Sequence, residues 1–214
     1  SIILARGGSK GIKNKNLKLI KKKPLIYWSI IKSINSKYID QTWVSSDNYK
    51  ILDYSKKIKI NIIKRPKSLS KDTSTSESAW LHAVNFIKKN YEVDLIVGIQ
   101  PTSPIRKKND FDNAIMLFIK KKFDSLFSST EIHDFNTWKL KNKKLRANYN
   151  YKKRKRRQEI KNTYLENGSF YIFKANKFCK YKNRLFGNIG HYTMEKNYSY
   201  QIDDLIDVKI IESL

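Results

Sequence analysis

The sequence predicts an α/β fold, a mostly parallel open sheet with helices on both faces, and three observations carry that prediction. Short β-rich runs alternate with amphipathic stretches through the first two thirds of the 214 residues. The run Asp94 to Gln100 is continuously apolar between its ends, as in a strand buried on both faces of a parallel sheet. Polar clusters rich in Gly, Pro and Lys follow the strands, on the side where open α/β sheets bind their ligands.

The elements follow in order. Ile2-Ile3-Leu4-Ala5 reads as a strand, and a Gly/Lys/Asn-rich loop comes after it. Pro24 then opens a helix over Leu25 to Ile34, at a first-turn position where its missing N–H costs nothing. Thr42 to Ser46 is a second strand, ending at Asp47-Asn48, a helix-cap pair. Asn61 to Lys64 is a third, stopped by Arg65-Pro66. Ala79, Trp80, Ala83, Val84 and Ile87 recur at helical spacing within Ser76 to Lys89. Phe111 to Ile119 is a further helix and Ser125 to Ser128 a further strand. From about Glu131 to Thr163 the pattern weakens into a Lys/Asn/Arg/Tyr-rich excursion, read as an arm or hairpin suited to pairing two subunits. With no internal repeat and no Gly/Ser linker, 1–214 is expected to be one domain carrying an arm at about 131–163.

Composition excludes several classes. A hydrophobic fraction of 40% with abundant Tyr and Phe argues against a disordered chain. No stretch reaches bilayer-spanning length, so no membrane partner is expected. Ser1 to Ala5 lacks the basic-apolar-small layout of a signal, and the missing initiator Met implies that a residue or two precede this sequence. A single cysteine, Cys179, excludes an intrachain disulfide and a Cys-rich zinc site, and points to a reducing cytoplasm. The net charge of +26 fits a polyanion partner or an AT-rich coding drift combined with a small anionic substrate. Because lysine is spread along the chain, the second reading is preferred and no nucleic-acid partner is expected. The exception is the basic run Lys152 to Arg157.

Four clusters can carry chemistry. In Ala5-Arg6-Gly7-Gly8-Ser9-Lys10-Gly11-Ile12-Lys13-Asn14-Lys15-Asn16, glycines let backbone N–H groups approach phosphate oxygens while Arg6, Lys10 and Lys15 supply charge. The spacing matches neither a P-loop nor a dinucleotide fingerprint, and a plain glycine-rich turn remains open. Gln100 to Arg106 offers an amide, hydroxyls and a guanidinium for a polyhydroxylated acid, or is a plain strand-to-helix turn. In Arg65 to Thr73, Arg65 suits a base or phosphate and Asp72 a helix cap. In Ile202 to Asp207, the carboxylates suit Mg²⁺, or cap a final helix over Leu205 to Ser213; the two roles are not exclusive. His82, His133 and His191 are isolated and read as structural.

With those residues in place, the sequence closely resembles the acylneuraminate cytidylyltransferases, the CMP-sialic, CMP-legionaminic and CMP-pseudaminic acid synthetases. The resemblance rests on segments 5–16, 44–47, 65–73, 100–106, 156–160, 166–173 and 201–207, in matching order across nearly the whole chain. It implies a Rossmann-like nucleotidyltransferase fold, of the nucleotide-diphospho-sugar transferase type. The implied reaction moves CMP from CTP to the anomeric hydroxyl of a nonulosonic acid without a covalent intermediate. By motif position, Arg6 and Lys15 are the catalytic pair. Arg6, Gly7, Gly8, Ser9 and Lys15 then hold the triphosphate, and Asn16 and Arg65 lie near the cytidine. Gln100, Arg157, Gln158, Asn167 and Phe170 are assigned to the sugar acid, and Asp203 to Mg²⁺ or Mn²⁺. Gln201 stands where the family often has a second acid, leaving Asp204 or Asp207 to contribute through water. The resemblance also implies a homodimer whose arm sends basic residues toward the partner's sugar site. Three rivals stay in view: a CMP-KDO synthetase-like enzyme, a basic nucleic-acid binder and a glycosyltransferase. The last should hold its metal on a mid-chain DxD, and Asp110-Phe111-Asp112 opens a helix instead.

Overall fold

In the computed structural model, residues 1–9, 11–132, 136–159 and 163–214 are described. Lys10, His133 and Ile160, named above, lie outside the described residues, as does the Arg157 side chain.

Local chemistry sets each element. Strand β1 (Ile2–Leu4) runs into the glycine-rich loop. A two-residue ladder, β2 (Leu19–Ile20) with β3 (Lys23–Pro24), leads to α1 (Leu25–Ile34), with Pro24 as its N-cap residue. After β4 (Trp43–Ser46), Asn48 caps α2 (Tyr49–Lys57) by accepting the Lys50 N–H at 2.9 Å. After β5 (Asn61–Lys64), Thr75 rather than Asp72 caps α3 (Ser76–Ile87). Then come β6 (Leu95–Ile99), α4 (Asp110–Lys120) and β7 (Ser125–Glu131). The arm contains an exposed antiparallel hairpin, β8 (Trp138–Lys141) with β9 (Lys144–Ala147). The chain closes with β10 (Tyr164–Lys174), α5 (Ala175–Tyr181), β11 (Ile189–Thr193) and α6 (Leu205–Ser213).

Seven strands form the main sheet in the order β11-β7-β10-β6-β1-β4-β5. Pairs β1/β4, β1/β6, β4/β5 and β7/β11 are parallel, while β10 runs antiparallel to both β6 and β7. The sheet is therefore mostly parallel, as expected, with one reversed strand near its centre. Gly168, at φ +64°, sits where the β10/β7 register shifts. Ile2 and Ile3 are both fully buried yet belong to opposite faces, which the two-residue period of a strand requires. Ile3 packs with α1 and α4 through Ile26, Ile30, Phe111 and Ile115. Ile2 packs with α3 and α5 through Trp80, Val84 and Phe178. A third cluster joins Ile12 and Ile20 to Ile202, Val208 and Ile211, binding the first loop to the C-terminal helix. That contact brings Asp203 beside Lys15.

Candidate active site

A cavity of about 490 Å³ opens beyond the C-terminal ends of β1, β5 and β6. It is lined by residues of the loop after β1, the 65–76 segment, Gln100 to Thr102, and Asp203. Four sequence clusters separated by up to two hundred residues thus meet at one place, where an open parallel sheet leaves room for a ligand.

Among the described residues, three cation–carboxylate pairs belong to this site. Arg6 Nη1 donates to Asp72 Oδ1 at 2.9 Å. Lys15 Nζ donates to Asp203 Oδ1 at 3.2 Å and to the Ile202 carbonyl at 2.8 Å. Arg65 Nη2 stands 3.9 Å from Asp47 Oδ1, an ion-pair distance too long for a hydrogen bond. The first pair is well exposed and so contributes little to stability. The Arg65 side chain is only 4% exposed, and its Nε and Nη2 have no hydrogen-bond partner among the described residues. Burial pulls its guanidinium below the ordinary arginine value; Asp47 opposes that shift and Arg6 adds to it. A buried donor pair without acceptors is costly, a cost that a ligand reaching this edge would relieve.

The expected site residues divide into two groups. Arg6, Ser9, Lys15, Asn16, Arg65, Gln100 and Asp203 line the cavity. Asn16 also braces the first loop, its Nδ2 donating to the Arg6 carbonyl at 2.9 Å. Gly8 faces open space, while the Gly7 N–H is spent on Asp47 Oδ1 at 2.9 Å and is not left for a phosphate. Asn167 and Phe170 are elsewhere. Asn167 is 3% exposed: its Nδ2 donates to Ser129 and Ser199, and its Oδ1 accepts from Ser128 and Ser169. Phe170 is fully buried, edge-on to Phe111 at 5.1 Å, in the core under α4. Gln158 lies exposed in a short turn of the arm, outside the cavity lining.

Two further expectations change. The Arg106 guanidinium does not face the cavity. It is 2% exposed and donates to Ser29 Oγ, Ser169 Oγ and the carbonyls of Gln100 and Ser169. Among the tail carboxylates, Asp204 and Asp207 are consumed by a capping box at the start of α6. Asp207 Oδ2 also accepts the Asp203 N–H at 2.7 Å. Gln201 donates its amide to the Asn167 carbonyl. Asp203 alone of this group presents a carboxylate to the cavity, with its side chain 77% exposed. Mg²⁺ usually takes one or two protein carboxylates and leaves its other positions to phosphate and water, so this donor set fits the ion once a triphosphate is present.

The place of Asp47 in this site was not apparent from the sequence. Asp47 read as a cap, and nothing local marks it as the partner of residues 40 positions before and 18 after it. His82, read as structural, lies on α3 with a buried Nδ1 that has no partner among the described residues; burial first, then Arg65 and Lys89, push it below the ordinary histidine value.

The sheet and its covering helices define an α/β fold of the Rossmann-like nucleotidyltransferase type. The chain belongs to the cytidylyltransferase family, whose model matches residues 1–214. N-acylneuraminate cytidylyltransferase A of Danio rerio is 35% identical over 218 residues, spanning 99% of this chain and 49% of that protein. The CMP-N,N'-diacetyllegionaminic acid synthase of Campylobacter jejuni is 28% identical over 225 residues, spanning 99% of this chain and 92% of that protein. The chain thus spans about half the length of the fish relatives it matches, and nearly all of the bacterial one. Among solved structures, a CMP:2-keto-3-deoxy-manno-octonic acid synthetase complexed with CTP superposes with a TM-score of 0.74 at 16% identity. It covers 99% of this chain and 95% of that one.

Proposed function

We propose that this chain transfers CMP from CTP to the anomeric hydroxyl of a nonulosonic acid and releases pyrophosphate. The unpaired edge of Arg65 carries the reading: Nε–H and Nη2–H lie side by side, buried and without acceptors among the described residues. Cytosine offers two adjacent acceptors, O2 and N3, to such a fork. Uracil carries a hydrogen on N3 and would set donor against donor, a mismatch that buried polar sites reject strongly. A base held there leaves its triphosphate to Arg6, Ser9 and Lys15 across the cavity. The triphosphate draws Arg6 from Asp72 and Lys15 from Asp203, exchanging exposed ion pairs for charge-assisted phosphate contacts.

Gln100 contacts the sugar acid from the wall after β6. The sugar's anomeric oxygen bonds to the α-phosphorus while the bridging bond to the β-phosphate breaks. Pyrophosphate keeps that electron pair, and the hydroxyl's proton passes to solvent. Arg6 and Lys15 position the chain of phosphates and neutralise the charge that develops on them. Asp203 would hold Mg²⁺ or Mn²⁺. When bound, the ion neutralises charge on the triphosphate and makes its α-phosphorus more electrophilic.

We read 1–214 as one nucleotidyltransferase domain acting as a homodimer through the arm. In support, Leu140 and Leu145 pair across the β8–β9 hairpin at 72% and 67% exposure, an apolar face without a cover. Arg157 and Gln158 of the arm are then assigned to the partner's sugar acid. Leu140→Glu is expected to shift the protein toward monomer in sedimentation without lowering its thermal midpoint. We read the protein as a cytoplasmic enzyme that feeds a surface polysaccharide or glycoprotein. The test is pyrophosphate release with Mg²⁺ across N-acetylneuraminic, legionaminic, pseudaminic and KDO acids. Release with CTP and one nonulosonic acid, and none with ATP or UTP, supports the reading. Folded protein that is silent across the panel contradicts it.

A further inference from the structure

Three strand ends stand side by side at the cavity. Beyond β1, the Ala5 N–H donates to the Ser45 carbonyl at 3.0 Å; beyond β5, the Arg65 N–H donates to the Ser46 carbonyl at 2.8 Å. The residues just past those contacts are Arg6 and Gly7 on one side, Asp47 in the middle and Arg65 on the other. Asp47 Oδ1 accepts the Gly7 N–H at 2.9 Å and lies 3.9 Å from Arg65 Nη2.

Each part of this contact has a physical consequence. A Cβ on Gly7 would fall 2.7 Å from the Asn48 Cβ, so only glycine lets the first loop rest on the Asp47-Asn48 corner. Asn48 already caps α2, which frees the Asp47 carboxylate from helix duty. For the buried Arg65 guanidinium, Asp47 is the carboxylate at ion-pair distance among the described residues. At 3.9 Å it attracts that charge without taking a hydrogen bond from Nη2, so both fork donors stay unpaired among the described residues. An uncompensated buried cation would swing toward whatever acceptor or solvent it could reach.

We propose that Asp47 is a positioning residue that sets the choice of base through Arg65, an inference that rests on the cytidylyl-transfer reading above. Asp47 does not touch the base. It fixes the direction of the fork, and through Gly7 it ties that fork to the loop holding the triphosphate.

The test uses the full chain and measures dissociation constants for CTP and UTP, which carry the same triphosphate, so any effect on the phosphates cancels in their ratio. Asp47→Asn keeps an acceptor for Gly7 and removes the charge facing Arg65. It is expected to lower the preference for CTP over UTP about 10-fold, and to lower it no further in an Arg65→Met background. Asp47→Ser serves the same comparison if the amide variant does not fold. An unchanged CTP/UTP ratio with both affinities shifted equally overturns the proposal, because the carboxylate would then act only on phosphate. Losses of preference that multiply in the double variant overturn it too. Wild-type protein that binds neither nucleotide overturns the cytidylyl reading and the proposal with it. Wild-type protein that prefers CTP, with the variant unchanged, overturns the proposal alone.

Discussion

Arg65 and Arg106 are both buried arginines, at 5% and 2% exposure, and both follow a strand of the parallel part of the sheet. They are built on opposite rules. Arg106 spends its donors inside the protein, on Ser29, Gln100 and Ser169, and its guanidinium lies over the Phe111 ring at 5.5 Å. Arg65 lines the cavity, and its solvent-shielded Nε and Nη2 have no hydrogen-bond partner among the described residues. A satisfied buried polar group fixes structure, whereas an unsatisfied one is a standing cost that binding a ligand can remove. The same contrast recurs in the tail. Asp204 and Asp207 close a capping box while their neighbour Asp203 faces the cavity.

Substitutions in the closed set should cost stability, and those in the open set should cost activity. The largest effect is expected from Arg106→Met. It strands acceptors on Ser29, Ser169 and Gln100, and urea unfolding should show a loss of about 4 kcal/mol. Asp203→Ala comes next. It should reduce Mg²⁺-dependent pyrophosphate release by about 100-fold or more while leaving the thermal midpoint unchanged. Its neighbour gives the reverse result: Asp204→Ala should cost about 1 kcal/mol in unfolding through the lost cap and leave activity near wild type. If the two aspartates behave alike, the division between open and closed carboxylates fails.

The smallest expected effect is also the most sensitive to pH. Lys174 first, then Lys177 and the Asn188 N–H, hold the Asp124 carboxyl far below its ordinary value of 3.8. A depressed carboxylate stabilises the fold in full above its unfolded value and loses that contribution as pH falls through the folded one. Asp124→Asn should therefore lower stability at pH 7, and its gap from wild type should close as the pH drops below about 3.8. A gap that holds constant to pH 2 would mean the lysines do not act through charge.

Much of this arrangement was legible in the sequence because it is local. Helix Leu25–Ile34 has the predicted limits, and the loops after β1, β5 and β6 supply the cavity as expected from their place beyond parallel strands. What was not legible depends on partners far along the chain. The segment around Asn167 and Phe170 reads as a polar and aromatic motif, but it forms the reversed strand β10, whose bulge at Gly168 interrupts the two-residue alternation. Asn167 is closed by Ser128, Ser129 and Ser199, which lie more than thirty residues away in either direction. Arg65 and Arg106 likewise look alike as basic residues after strands. Only the serines packed around Arg106 separate the closed guanidinium from the open one.

The most direct measurement is a calorimetric titration of CTP and UTP into wild-type protein and Arg65→Met, with thermal midpoints taken on the same samples. Wild type is expected to prefer CTP over UTP by at least about 10-fold. Arg65→Met is expected to lose that preference while melting no lower than wild type, because no internal hydrogen bond is removed. A variant that keeps the preference for CTP, or that unfolds at a lower temperature, would contradict the claim that Arg65 is held open to read the base.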